Sequence, residues 1–412
     1  DVLTTIREAT SMQNSPITLS IGISYQETAI GDLATSAQAN LDLALGRGGD
    51  QVVIKSSNGQ PRFYGGSTNP MAKRTRVRAR VISQALAELM NQSDQIFIMG
   101  HRNPDMDSLG SALGVRRLAQ MLNKPAWVVH EPDEHAHTDI QLLLSELAES
   151  DADALMTPAD VLNKKTATSL LVMVDHSKPS MSESTDVFND MANRVVIIDH
   201  HRRGEEFPEK AQLVYIESYA SSTSELVTEL FEYQPRRGRN GLTRIEATAM
   251  LAGIQIDTKS FTLRSGTRTF DAASYLRSVG ADGTLIQEFM KESVTDYRER
   301  ARLIERMRVH DDAAIVVGED DRSYGGVVTA QVADSLLQVV GIETSYVVTR
   351  RNESTVGVSA RSTGKQSVQL IMEKMGGGGH LSNAATQMKD VTTEDVYQQL
   401  LSILKANRDN IE

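Results

Sequence analysis

The chain has 412 residues, a formal net charge of −11, 40% apolar and 24% charged residues, and no cysteine. Without cysteine there is neither a disulfide framework nor a thiolate metal site, and no apolar run reaches the roughly 18 residues of a membrane span. A chain of this length holds roughly two to four domains, and one this acidic meets phosphate through bound cations and not through its overall field.

The first residue is Asp1 and no signal peptide precedes it, so the chain is expected to be a soluble piece of a longer protein. Residues 1–66 read as one small unit. Ile17, Leu19, Ile21 and Ile23 alternate with small polar residues, as in a half-buried strand. Leu33, Ala37, Leu41 and Leu45 follow at helical spacing, with Gly46 as a stop. Val52–Ile54 begins a strand, and Asn58-Gly59 signals a hairpin before Phe63 and Tyr64. Residues 67–94 read as a linker helix carrying Lys73, Arg74, Arg76, Arg78 and Arg80. A solvated face is the plainer reading of that run; contact with nucleic acid or a membrane surface is the other.

Residues 95–280 alternate short apolar runs with helical patterns. The runs at 96–99, 170–174 and 195–198 suit strands buried on both faces of a mostly parallel sheet. Helices are expected around 108–122, 138–149, 221–233 and 242–256. This is the pattern of an open α/β domain. Residues 281–311 read as charged linker helices. Residues 312–412 form a smaller α/β unit, with strands expected at 313–317, 324–328, 345–349 and 355–360. Its helices are expected at 330–339, 368–374 and about 393–407.

The chemistry concentrates where the apolar runs end. His101, Asp105 and Asp107 crowd into the seven residues after the first run. Asp175-His176 follows the second, and Asp199-His200-His201 the third. One Asp after a strand is commonly a cap or turn former, but three such clusters fall where open α/β sheets bind ligands. Asp257-Thr258 ends a later helix and reads either as a further ligand or as a plain helix end. Carboxylates with neutral imidazoles suit Mn²⁺ or Mg²⁺, with Zn²⁺ or Co²⁺ also open. The set is large enough for two ions, the arrangement that clamps both oxygens of an in-line phosphoryl displacement. A serine nucleophile is the rival, but Gly-x-Ser-x-Gly is absent. Gly376-Gly377-Gly378-Gly379-His380 is either a flexible linker or a backbone cradle for phosphate. Arg361 is either a surface arginine or a phosphate fork.

Together His101-x-x-Pro104-Asp105-x-Asp107, Asp175, Asp199-His200-His201 and Asp257-Thr258 resemble the DHH phosphoesterase family. The Gly376–His380 run resembles the motif of its DHH-associated domain, so the likeness spans about residues 95–390. Residues 1–66 resemble the C-terminal half of a degenerate GGDEF domain, and Gly48-Gly49-Asp50 is not its signature loop. This arrangement is similar to the cyclic-di-AMP phosphodiesterases that carry a GGDEF domain.

The resemblance implies two Mn²⁺ per subunit, with Mg²⁺ or Co²⁺ as substitutes. It places His101, Asp105 and Asp175 on one ion, and Asp107, Asp175, His200 and Asp257 on the other, with Asp175 bridging. It casts Asp199 as orienting His200, and His201 as facing the substrate phosphate. Arg361, Gly376, Gly377, Gly378, Gly379 and His380 are implied to bind cyclic di-AMP, which is cut to linear 5′-pApA. A homodimer is implied, and membrane anchoring through upstream segments, this part lying in the cytoplasm. Polymeric nucleic acid is not an expected partner. Two other readings stand beside this one: an oligoribonuclease or pAp phosphatase of the same family, and a sensor that binds nucleotide without cutting it.

Overall fold

The computed structural model describes residues 2–3, 5–6, 19–25, 30–46, 51–56, 61–65, 76–133, 136–204, 206–233, 241–379 and 381–408. The chain divides into two compact units, Asp1–Lys291 and Glu292–Glu412. Among the described residues no helix is long and apolar enough to cross a membrane.

The first unit opens with β1 (Ile21–Tyr25), α1 (Ile30–Gly46), β2 (Gln51–Ser56) and β3 (Arg62–Gly65). β1 and β2 are parallel, and β3 returns antiparallel to β2. Parallel neighbours need a crossover, and α1 supplies it. It lies so close to β1 that a Cβ on Gly22 would stand 2.3 Å from the Leu41 amide nitrogen. Gly48-Gly49-Asp50 and the expected Asn58-Gly59 turn lie outside the described residues. The linker helix α2 (Arg76–Asn91) is fastened to the α/β domain behind it. Its Ser83 hydroxyl donates to the Leu230 carbonyl at 3.1 Å in a buried setting, and Arg78 pairs with Glu217 at 2.8 Å. The basic run is therefore partly paired.

The elements that carry the site then run in order: β4 (Ile96–Met99), α3 (Met106–Met121), β5 (Ala126–Val129), α4 (Thr138–Ser150), β6 (Leu155–Met156), α5 (Pro158–Lys164), β7 (Leu170–Val174), α6 (Thr185–Met191), β8 (Val195–Asp199), β9 (Leu213–Ile216), α7 (Thr223–Phe231), α8 (Arg244–Asp257), α9 (Thr267–Ser278) and α10 (Gly283–Phe289). All six strands are parallel, in the order β6-β5-β4-β7-β8-β9. Successive residues point to opposite faces. Ile96, Ile98, Val172 and Ile198 pack one core, while Phe97, Met99, Met173 and Ile197 pack the other. Strand addition reverses direction between β4 and β7, which makes that pair the switch point where ligands bind.

The second unit comprises α11 (Val294–Glu305), β10 (Met307–His310), β11 (Ala313–Val317), α12 (Gly326–Leu336), β12 (Thr344–Asn352), β13 (Thr355–Ser362), α13 (Val368–Lys374), β14 (Gly378–Gly379), β15 (Asn383–Lys389) and α14 (Thr393–Arg408). Its mixed sheet runs β10-β11-β12-β13-β15-β14. Residues 324–328, expected as a strand, are not one. Only Ser323 bridges to Arg350, and the helix starts at Gly326. Residues 281–311 divide between the two units: Ile286 and Phe289 are buried in the first core, and Leu303 in the second unit's core.

Candidate metal centre

Each cluster occupies the carboxyl end of a strand or the end of a helix. His101 follows β4, and its loop is pinned by the bridge to Ser182 and by the Arg102 amide donating to the Met181 carbonyl at 2.7 Å. Asp105 is the N-cap of α3, accepting from the Ser108 amide at 3.0 Å. Asp107 lies in the first turn of the same helix. Asp175 follows β7 with φ of +63°, a left-handed conformation unusual for a side chain without glycine's freedom. Asp199 ends β8, with His200 and His201 directly after it. Asp257 ends α8.

These elements bring the ligand atoms together. His101 Nε2 lies 3.4 Å from Asp175 Oδ2 and 3.8 Å from Asp105 Oδ1. On the other side, His200 Nε2 lies 3.5 Å from Asp175 Oδ1 and 3.1 Å from Asp257 Oδ2. His101, Asp105 and Asp175 thus form one group able to hold a metal ion, and Asp107, His200 and Asp257 another. A third combination draws in His201 with Asp175 and His200. The two oxygens of Asp175 face different imidazoles. The His101 Nδ1–H donates to the Arg102 carbonyl at 3.0 Å, which turns Nε2 toward the site.

The helix pair α3–α8 sets the position of Asp107. A Cβ on Gly253 would stand 2.7 Å from Asp107 Cα, and one on Gly110 would stand 2.8 Å from the Ala249 carbonyl oxygen. Both glycines are needed for that close approach. Arg117 on α3 clamps Glu246 on α8 through two hydrogen bonds of 2.8 and 2.9 Å, both buried.

The electrostatics suit a cation. Burial, together with Asp175 and Asp257, pushes the Asp107 carboxyl well above its ordinary range. Burial pulls His101 down, but Asp105 and Asp175 outweigh it and push the imidazole up to about 11. Burial likewise opposes ionisation of His200, yet Asp257 and Asp175 raise it. The His200 Nδ1 is buried without a hydrogen-bond partner, and its Nε2 meets only carboxylate oxygens, of Asp257 at 3.1 Å and Asp175 at 3.5 Å. Crowded buried carboxylates with imidazole nitrogens turned toward them are what a divalent ion would satisfy.

Asp199 departs from the role the resemblance implied. Its Oδ1 accepts from the His201 amide at 2.9 Å and from His201 Nδ1 at 2.9 Å. It orients His201, not His200. The chain curls back after β8 so that residue 201 returns to the carboxylate, while the His200 ring is carried into the ligand cluster. The His201 side chain stays 56% exposed.

Two contributors escaped the sequence reading. The Thr223 and Ser224 amides, at the start of α7, donate to Asp107 Oδ2 and Oδ1 at 2.7 and 2.8 Å. The Thr223 hydroxyl donates to Asp175 Oδ1 at 2.9 Å. The available signal was Ser222-x-x-Glu225, a capping-box spacing that marks a helix start.

In the second unit the glycine run is no flexible linker. Gly378 and Gly379 form β14 against Ala385 and Ala384, and a Cβ on Gly377 would stand 2.2 Å from the Ala385 carbonyl oxygen. Arg361 is tied to Asp334 at 2.9 Å. His380 lies outside the described residues.

Comparison with known proteins agrees with this arrangement. Residues 95–254 match the DHH family, N-terminal domain, and residues 312–408 match the DHHA1 domain. Residues 1–62 match the cyclic-di-AMP phosphodiesterase GdpP-like GGDEF domain. The chain is 56% identical to the cyclic-di-AMP phosphodiesterase PdeA of Listeria monocytogenes serotype 1/2a (strain 10403S), over 98% of this chain and 62% of that protein. It is 48% identical to the cyclic-di-AMP phosphodiesterase GdpP of Bacillus subtilis (strain 168), over 97% of this chain and 61% of that protein. It therefore spans about three-fifths of the length of these relatives (62% and 61%). An exopolyphosphatase-related protein from Bacteroides fragilis shares the fold, with a TM-score of 0.64 at 20% identity over 79% of this chain and 96% of that one. With these matches along nearly its whole length, the chain carries a DHH-family N-terminal domain, followed in sequence by a DHHA1 domain and preceded by a GdpP-like GGDEF segment.

Proposed function

We propose that this chain is a two-metal phosphodiesterase that hydrolyses cyclic di-AMP to linear 5′-pApA, with Mn²⁺ as its metal. The observation that carries the reading is Asp175, whose two carboxylate oxygens face His101 and His200 separately at 3.4 and 3.5 Å. His101, Asp105 and Asp175 would hold one ion, and Asp107, Asp175, His200 and Asp257 the other. Divalent ions bound by these residues would supply positive charge to phosphoryl oxygens and lower the pKa of a water. His201, held by Asp199, presents its exposed ring to the phosphate. By the family resemblance, Arg361, Gly376 to Gly379 and His380 belong to the substrate-binding residues. The substrate is supported by the names of the relatives. Homodimeric assembly, and anchoring of the whole protein to the cell membrane with this part in the cytoplasm, belong to the same proposal and rest on the family resemblance.

The test is a substrate panel of cyclic di-AMP, cyclic di-GMP, pApA and pAp under Mn²⁺, with and without chelator. Asp175→Ala, which should disturb both ion positions, serves as the impaired control. The expected result is metal-dependent release of pApA from cyclic di-AMP, abolished in the control. Faster cleavage of pAp or pApA overturns the substrate. Tight binding of cyclic di-AMP without turnover makes the protein a sensor instead.

A further inference from the structure

We infer that Thr223 is a positioning residue that ties the two metal positions together and fixes which oxygen of Asp175 serves which. The inference rests on the two-metal reading above. The Thr223 amide donates to Asp107 Oδ2 at 2.7 Å, while its hydroxyl donates to Asp175 Oδ1 at 2.9 Å. Asp107 groups with His200 and Asp257, while Asp175 groups with His101 and Asp105 on one side and with His200 and His201 on the other. One residue therefore holds a carboxylate from each group.

A carboxylate can rotate about its Cβ–Cγ bond, a broad and roughly two-fold torsion that leaves either oxygen free to face either side. The hydrogen bond from Thr223 removes that freedom. It occupies one lone pair of Oδ1 and holds that oxygen on the His200 side, at 3.5 Å, which leaves Oδ2 on the His101 side, at 3.4 Å. Thr223 is fully buried, so no water can replace its hydroxyl at low cost.

The residue is in turn rigidly mounted. Ser222 caps α7 by accepting from the Glu225 amide at 3.0 Å. The Glu225 carboxylate accepts from the Ser221 hydroxyl at 2.6 Å and from Thr269 at 2.7 Å, both buried. The far end of α7 is held by the Ser83–Leu230 hydrogen bond from α2. Outer hydrogen bonds of this kind orient metal ligands and commonly set affinity by about 10–100-fold.

The experiment compares Thr223→Val, which keeps the shape and loses the hydroxyl, with Thr223→Ser, which keeps the hydroxyl. Mn²⁺ stoichiometry and affinity are measured by titration with elemental analysis, and the spin-coupled signature of a Mn²⁺ pair is followed by electron paramagnetic resonance. In Thr223→Val one ion should bind as in the wild type, the second about tenfold or more weakly. The coupled signal should give way to that of isolated Mn²⁺, and Thr223→Ser should restore it. Wild-type affinity for both ions in Thr223→Val overturns the inference. So does equal impairment of the serine variant, which would assign the effect to shape. Thr223→Ala takes the place of the valine variant if the latter does not fold. A wild-type protein that binds fewer than two ions overturns the underlying reading instead, and the two failures are distinct.

Discussion

Proton and metal compete for the same nitrogen at His101. In the metal-free protein Asp105 and Asp175 overcome burial and hold the imidazole protonated up to about pH 11. A pKa raised above the unfolded value of about 6.5 contributes stability that is fully present below that pH and is lost as pH climbs toward 11. A metal ion must displace the proton, so its apparent affinity rises with pH throughout the range below 11. Titration calorimetry at pH 7 in buffers of different ionisation enthalpy should therefore register proton release on Mn²⁺ binding. Affinity that is flat between pH 6 and 8, with no proton released, contradicts this. His101, Asp105, Asp107, Asp175 and His200 were legible because only a few side chains bind hard divalent ions and these follow apolar runs, whereas Asp257, at a helix end, was assigned only through the family resemblance. Thr223 and Ser224 were not legible, because they hold Asp107 through backbone amides, which every residue but proline carries. The Asp199–His201 pairing turns on how the chain bends after β8, and neighbouring histidines give no sign of it.

Helix-to-helix distance does for α3 and α8 what side-chain choice does for the ligands. A methyl group on Gly110 or on Gly253 would meet backbone of the opposite helix at 2.8 or 2.7 Å. Either substitution should cost about 1–3 kcal/mol by overpacking. The two differ in what they push. Gly253→Ala presses on Asp107 itself, and Gly110→Ala on Ala249. Gly110→Ala should lower the melting temperature while binding two ions, whereas Gly253→Ala should lower both melting temperature and metal content. Equal metal content in the two variants contradicts this account of the packing. Elements were legible where period and length agreed, as in α3 and α8. β5 and β9 are as short as β4 but are only partly buried, so their apolar runs stood out less, and both were missed. Residues 324–328 misled for a different reason. Tyr324, Val327 and Val328 favour strands locally. In the structure Val328 is buried in the second unit's core as part of α12, so tertiary packing overrode propensity.

At the scale of the whole molecule, the seven residues implicated in the metal positions and their orientation (His101, Asp105, Asp107, Asp175, His200, Asp257 and Thr223) lie in the first of the two units. That unit gathers four aspartates around a small volume in a chain already at net −11. Metal withdrawal leaves those carboxylates to repel one another, and metal binding acts on the folded first unit by mass action. At about a hundredfold excess over the dissociation constant one bound ion contributes about 2.7 kcal/mol. Hydrogen exchange should reveal where that stabilisation is felt. On adding Mn²⁺, exchange should slow in peptides covering 96–110, 170–176, 195–201, 220–230 and 250–258. Protection should extend along α7 to Leu230, because the Thr223 and Ser224 amides that hold Asp107 belong to that helix and Ser83 fixes its other end. Peptides covering 307–317 and 344–362 form a separate sheet that supplies no ligand, and their exchange should not change. Equal slowing across both sheets would mean that the ions are held by residues other than the seven named. Slowing in the first unit that stops short of α7 would leave Asp107 and Asp175 unsupported by Thr223, and would contradict the inferred link between the two metal positions.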